Sequence, residues 1–392
     1  MVFVMTACAE NSSQSEKSQP AEQTTVQPTT MSAEEINDRK LDKFISDMTL
    51  EEKVGQMFFV RCPDEGAVQQ VSEYNIGGYI LFGRDFDGKT KDEVVDDIHS
   101  YQNEADIPLL IGVDEEGGTV VRVSSNPNLC ETPFLSPKDT YADGGWDAVK
   151  QDAEEKADLL LSLGINVNLA PVCDMTSDEY GFMYDRSFSS DVDMENRYVR
   201  TVVETSKSKK LGTVLKHFPG YGNNSDTHTG IAYDDRDYSE FENTDFKPFY
   251  QGIESGADCI LVSHNIVNCM DSEYPASLSQ KVHDILRNEF KFDGVIMTDD
   301  LIMDAITDFT GDEAAAVTAA KCGNDLLCCS SVDTQYPAVL EAVQNGEIPE
   351  AQVDASVKRI LKWKQNLGIF NIDTYQKKVK STEPTDTVES EE

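Results

Sequence analysis

Short apolar runs and longer stretches of helical period alternate along this chain from residue 57 to residue 330. The runs are MFFVRC (57–62), GGYILFG (77–83), PLLIGVDEE (108–116), NVNLAPVCD (166–174), GTVLKHFPG (212–220), CILVSHN (259–265), GVIMTDD (294–300) and NDLLCCS (324–330), eight in all. Segments such as TKDEVVDDIHSYQNEA, WDAVKQDAEEKADLLLSLG and SQKVHDILRNEF lie between them, and VDASVKRILKWKQNLG closes the series. Buried strands alternating with amphipathic helices predict parallel βα units. Eight units suit an α/β fold of the (β/α)8 barrel type, which takes about 250 residues before insertions. A doubly wound open sheet is the alternative that the pattern leaves open.

The barrel is expected over residues 34–371, opened by the helix cap SAEE at Ser32 to Glu35. Residues 9–33 read as a polar tether and residues 372–392 as an acidic disordered tail, because both lack apolar periodicity. Residues 1–8 end in MTAC, which resembles a bacterial lipobox. Lipidation at Cys8 is therefore expected, making the protein an extracytoplasmic, membrane-anchored lipoprotein, although seven residues before a cysteine are fewer than a signal peptide needs. The other eight cysteines fall mostly in apolar runs and read as buried free thiols. No stretch after the start is apolar and long enough to span a bilayer.

Acidic residues outnumber basic ones 72 to 33, for a formal net charge of −39. That balance disfavours nucleic acid and anionic membrane surfaces as main partners, and leaves a neutral glycan acceptable. A monomer is expected.

Polar groups close nearly every run on its C-terminal side: Arg61, Arg84, Asp114, Asp174, Lys216 with His217, His264, and Asp299 with Asp300. In a barrel those ends converge on one mouth, where the active sites of this fold are built. The opposite ends show no such cluster in the sequence. GVIMTDD ends in two adjacent carboxylates, of which the pleat sends one into the mouth. Asp114, followed by the Gly117–Gly118 pair, suits bidentate contacts to vicinal hydroxyls. KHFPGYGNNSDTHTG (216–230) places Asp226 two positions before His228 on a glycine-rich loop, where the carboxylate can orient the imidazole for proton transfer. The glycines are read as making this loop able to move or to approach a ligand closely. His217, Asp226, His228 and His264 also have metal-ligand chemistry, so a metal-dependent hydrolase is the rival reading. The chain has no HExxH, no G-x-S-x-G elbow and no P-loop.

Taken together, GVDEEGGTVVR, NVNLAPVCD, DRSF (185–188), KHFPGYG, DTH (226–228), LVSH, PASLS (275–279) and GVIMTDDLIMDAI resemble the bacterial β-N-acetylglucosaminidases of glycoside hydrolase family 3. They stand in the family's order across roughly residues 40 to 370. The resemblance implies a (β/α)8 barrel and a retaining exo-hydrolase, without a cofactor, acting on terminal N-acetylglucosamine of cell-wall or chitin-type glycans. It implies Asp299 as nucleophile, His228 as general acid/base and Asp226 as its orienting partner. Asp114, Arg186, Lys216 and His217 match residues that grip the terminal sugar, and His264 and Asp174 lie in family motifs near the site. Two departures stand out: Tyr221 occupies a position usually held by His, and the stretch from Gly222 to Asp226 is one residue short. A phosphorylase, a β-glucosidase and a non-catalytic sugar-binding lipoprotein are the alternatives.

Overall fold

All eight apolar runs form parallel strands of one sheet. They are β1 (Phe58–Arg61), β2 (Gly78–Leu81), β3 (Leu110–Val113), β4 (Val167–Asn168), β5 (Gly212–Phe218), β7 (Cys259–Val262), β9 (Val295–Thr298) and β10 (Leu327–Cys329). Two short strands, β6 (Tyr233–Asp234) and β8 (Ile266–Val267), pair with each other outside the barrel. The computed structural model describes residues 1–3, 31–224, 230–310 and 312–377. Cys8, Asp226 and His228 lie outside the described residues, as do most of the tether and the tail from residue 378.

Sheet order is β10-β1-β2-β3-β4-β5-β7-β9, so each sequential strand lies beside its predecessor. Phe58 registers with Leu327 at one edge, and a Met297–Leu326 bridge joins β9 to the residue before β10. Thr298 N also donates to Leu326 O at 3.1 Å. These contacts close the sheet into a barrel and exclude the open-sheet alternative.

The pleat sorts side chains into two cores. Phe59, Ile80, Leu110, Val167, Val214, Cys259, Leu261, Val295, Met297 and Cys328 pack together in the lumen. Their immediate neighbours, such as Phe58, Val60, Ile111 and Val113, face the helices. Residues of even or odd parity thus have a known direction on each strand, which fixes where the polar strand ends point. Gly112 is part of this packing, because a Cβ there would stand 2.5 Å from Phe59 Cζ and 3.0 Å from Leu169 Cδ1. The lumen holds the Phe59 ring only where the facing strand has no side chain.

The chain divides into two compact units, residues 1–39 and 40–392. In the first, Ser32 Oγ accepts from Glu35 N at 3.1 Å and Glu35 Oε2 accepts from Ser32 N at 2.7 Å. This is the reciprocal cap read from SAEE. In the second, ordered packing runs past residue 371: the Tyr375 ring meets Phe44 edge-on, with centroids 5.0 Å apart. Six of the eight cysteines from Cys62 onward are buried and all eight are free thiols, with Cys269 exposed.

One expectation is corrected at the barrel floor. Asp325 precedes β10 there and is buried, accepting from Ile296 N at 2.9 Å, Ser356 Oγ at 2.8 Å, Arg287 Nη2 at 2.5 Å and Arg359 Nη1 at 3.0 Å. The opposite end therefore carries one buried ionic node. Its arginines come from outside the strands, which is why the strand ends alone did not show it.

Candidate active site

Three consecutive acids follow β3, and each has a different task. Asp114 shares lumen parity with Leu110 and Gly112, and its Oδ1 lies 2.5 Å from Lys216 Nζ. Lys216 reaches the same point from β5, where Val214 fixes the lumen parity. Glu115 turns away from the lumen and accepts from Arg122 N at 2.9 Å, Val123 N at 2.7 Å and Ser124 Oγ at 2.5 Å, tying down the loop that follows. Glu116 returns to the mouth.

Glu116 Oε1 lies 2.6 Å from Lys216 Nζ and 2.7 Å from Arg186 Nη2, while its Oε2 accepts from Arg186 Nε at 2.9 Å. The Arg186 contact is bidentate, the geometry in which guanidinium and carboxylate bind best. Burial alone would raise the Glu116 carboxyl, but the charges of Lys216 and Arg186 outweigh it and hold the group well below the usual carboxylate range. Burial would lower the Lys216 ammonium, and Asp114 with Glu116 raises it instead. Two acids and two bases thus balance each other at the mouth.

His217 continues the chain of contacts. Its Nδ1 lies 2.7 Å from Asp174 Oδ2 and its Nε2 lies 3.2 Å from Arg186 Nη2. A carboxylate only accepts and a guanidinium only donates, so the proton sits on Nδ1 and Nε2 is the acceptor. Asp174 also accepts from the backbone N–H groups of His217 and Tyr221, at 3.0 and 2.7 Å. The Tyr221 ring packs edge-on against His217, centroids 5.2 Å apart at 87°. The peptide bonds Ala170–Pro171, Lys216–His217 and Phe218–Pro219 are cis.

At the end of β9, Asp299 shares parity with the lumen residues Val295 and Met297, whereas Asp300 shares it with Ile296, which packs outside. Asp299 Oδ1 accepts from Asp300 N at 2.8 Å. Asp300 Oδ2 accepts from Ser330 Oγ at 2.6 Å and Oδ1 from Ile302 N at 3.2 Å, so both its oxygens hold the turn. Burial raises the Asp300 carboxyl above its ordinary range, against the Ser330 bond. Of the adjacent pair, Asp299 is the one placed to meet a substrate.

The structure therefore gathers Asp114, Arg186, Lys216, His217 and Asp299 at the mouth. It does not place Asp174 and His264 there as sugar contacts. Asp174 is buried behind His217 with both oxygens engaged. His264 is fully buried; its Nε2 donates to Asp300 O at 3.1 Å and its Nδ1 accepts from Ser277 Oγ at 2.7 Å. Both are positioning residues, a role that only tertiary partners reveal. Glu116, in turn, was not singled out from sequence, although it repeats the two-residue stride of Gly112 and Asp114.

The described part of the glycine-rich loop is clamped. A Cβ on Gly220, whose φ is +118°, would lie 2.4 Å from Asp245 Oδ1. Arg236 bonds Gly220 O at 3.1 Å, Asp234 Oδ2 at 2.7 Å and Asp245 Oδ1 at 3.0 Å. Asn223 Oδ1 accepts from Thr176 Oγ1 at 2.7 Å, and Asn224 Nδ2 donates to Asp234 Oδ2 at 2.7 Å. The glycine at 220 serves close packing here, which corrects the reading that it supplies motion. Among the described residues, no group of three or more His, Cys, Asp or Glu side chains is arranged to hold a metal ion.

Comparison with known proteins identifies the family. Residues 49–363 match the model of the glycosyl hydrolase family 3 N terminal domain. A β-hexosaminidase from Hydrogenovibrio crunogenus is 31% identical over 286 residues, 71% of this chain and 79% of that protein. A β-hexosaminidase from Mycobacterium tuberculosis is 30% identical over 322 residues, covering 79% of this chain and 81% of its own. The solved structure of a family 3 β-N-acetylglucosaminidase from Paenibacillus sp. superposes with a TM-score of 0.77 at 29% identity, over 86% of this chain and 65% of that one.

Proposed function

This chain belongs to glycosyl hydrolase family 3, and we propose that it removes terminal, non-reducing N-acetylglucosamine from cell-wall or chitin-type glycans with retention of configuration. The observation that carries the reading is the facing of Asp299 on β9 by the balanced Asp114–Lys216–Glu116–Arg186–His217 network across one barrel mouth. A network of alternating fixed donors and acceptors suits vicinal hydroxyls, and the relatives named as β-hexosaminidases support the N-acetyl sugar.

In this mechanism Asp299 attacks the anomeric carbon while a proton passes to the departing glycosidic oxygen, leaving a glycosyl-aspartate. Water then gives up a proton, attacks the same carbon and releases Asp299. His228, oriented by Asp226, carries the proton in both steps; these two roles rest on the DTH motif. Lys216 and Arg186 cannot serve as proton donors, because each is held in its charged form by the acids around it.

Hydrolysis of 4-nitrophenyl N-acetyl-β-D-glucosaminide, beside the matching glucoside, tests the assignment. Turnover confined to the N-acetyl sugar, and lowered about 10²–10⁴-fold in His228→Ala, is the expected result. Turnover of the glucoside alone would overturn the substrate.

The MTAC motif supports lipidation at Cys8 and action outside the cytoplasm. Incorporation of labelled palmitate that is lost in Cys8→Ala is the corresponding test.

A further inference from the structure

Two blocks of the sequence, LVSH (261–264) and PASLS (275–279), supply no group to the chemistry described above, yet the fold brings them together. β7 ends at Val262, His264 lies in the segment that follows, and a short 3-10 turn, Ala276–Leu278, folds back on that segment. Ala276 N donates to Asn265 O at 2.9 Å and Ser277 N to Ser263 O at 3.0 Å, so the turn is bonded to the residues on both sides of His264. Its far side is held as well: Ser277 O accepts from Asn324 Nδ2 at 2.7 Å, and the Cys322 thiol lies 3.3 Å from the same oxygen. Ser277, His264 and Asn324 are all fully buried. With its N–H and carbonyl both fixed, Ser277 can redirect its hydroxyl oxygen only by rotating χ1, and that oxygen meets His264 Nδ1 at 2.7 Å.

The other ring nitrogen carries the contact onward to the end of β9. A backbone carbonyl only accepts, so His264 Nε2, 3.1 Å from Asp300 O, holds a proton, and Nδ1 of the neutral ring is left to accept from Ser277. Asp300 O also accepts from Met303 N at 3.1 Å, while Ile302 N and Ser330 Oγ hold the Asp300 carboxylate. Residue 300 is thereby fixed, and its N–H donates to Asp299 Oδ1 at 2.8 Å. The direction of the Asp299 carboxylate depends on that N–H. The network of Asp114, Glu116, Lys216 and Arg186 stands instead on β3, on β5 and on the segment that carries Arg186.

We propose that Ser277 is a positioning residue for the reaction: its hydroxyl fixes the ring of His264, the ring fixes residue 300, and residue 300 sets the angle at which Asp299 attacks. The inference rests on the reading of Asp299 as the nucleophile. A carboxylate attacks the anomeric carbon only from a narrow range of positions, and misplacement by about 1 Å can cost on the order of 100-fold in rate. Because the sugar is gripped from other elements, Ser277 acts on the rate and leaves binding unchanged.

Ser277→Ala in the full chain tests this by three readouts: kcat on 4-nitrophenyl N-acetyl-β-D-glucosaminide, the calorimetric Kd for N-acetylglucosamine, and the nitrogen-15 resonances of His264 in histidine-labelled protein. The expected result is a kcat lowered about tenfold or more with Kd within about twofold of wild type. The His264 Nδ1 resonance should move downfield as that nitrogen loses its donor. Ser277→Cys, which offers a weaker donor of similar size, should give an intermediate kcat, and it replaces Ser277→Ala if thermal unfolding shows that the alanine variant does not fold. In a His264→Gln background, Ser277→Ala should change kcat by less than about twofold, because the hydroxyl acts through the ring. The proposal is overturned if kcat survives in Ser277→Ala, if Kd weakens by as much as kcat falls, if the Nδ1 resonance stays in place, or if the two substitutions lower kcat independently. A wild type that hydrolyses no N-acetylglucosaminide would overturn the nucleophile reading and this inference with it, whereas an active wild type beside an equally active Ser277→Ala would overturn this inference alone.

Discussion

Glu116 and Lys216 meet at 2.6 Å in the barrel mouth, with side chains that are each only 3% exposed. Breaking such a pair leaves the partner charged and desolvated, and the general cost is about 3–5 kcal/mol. Glu116→Gln is expected to lose stability on that scale in urea titrations. It should also raise KM more than it lowers kcat, because Lys216 and Arg186 lose their common anchor. The same carboxyl is held below its unfolded value, so its stabilisation is complete above about pH 4.3 and falls away as the solution becomes more acidic. Wild type should accordingly lose more stability than Glu116→Gln between pH 5 and pH 3.

Gly112→Ala tests the packing of the lumen. The added methyl meets the Phe59 ring at 2.5 Å, and overpacking of this kind costs about 1–3 kcal/mol. Phe59→Leu in the same chain should recover part of that loss. A double-mutant cycle of unfolding free energies measures the coupling, which this packing requires to be favourable.

Lys364 supplies a pH dependence of opposite sense. It is fully buried on the helix Glu350–Asn366, with Gln56 Oε1 at 2.7 Å as its hydrogen-bond partner, and burial lowers its ammonium to about 7. In the unfolded chain the group titrates near 10.4, so the unfolded state binds more protons between the two values and stability rises with pH across that window. The full swing is roughly 5 kcal/mol. Lys364→Met should flatten the rise and raise Tm at pH 7, as measured by thermal unfolding from pH 7 to pH 10.

The barrel was legible because each strand is a separate apolar run closed by a polar residue, and the lumen parity of Asp114, Lys216 and Asp299 follows from the pleat once the strands are placed. Asp174 and His264 were legible as belonging near the site but not as supports. Their partners, His217 and Tyr221 for one and Ser277 and Asp300 for the other, include residues distant along the chain. Glu116 lies past the end of β3, where strand parity no longer applies formally, and only the Arg186 and Lys216 contacts show that it turns back. The β6–β8 pair spans two residues on each strand, too short for any periodicity to announce it. The glycine at 220 gave the wrong cue, since a positive φ serves tight packing as readily as motion.

The division of labour between Asp299 and Asp300 carries the mechanism, and covalent trapping tests it most directly. A 5-fluoro N-acetylglucosaminyl fluoride slows hydrolysis of the glycosyl-enzyme, so peptide mass spectrometry can locate the sugar. The account predicts label on Asp299 in wild type and in Asp300→Asn, and none in Asp299→Asn. Label on Asp300, or turnover that survives Asp299→Asn in a folded protein, would contradict it.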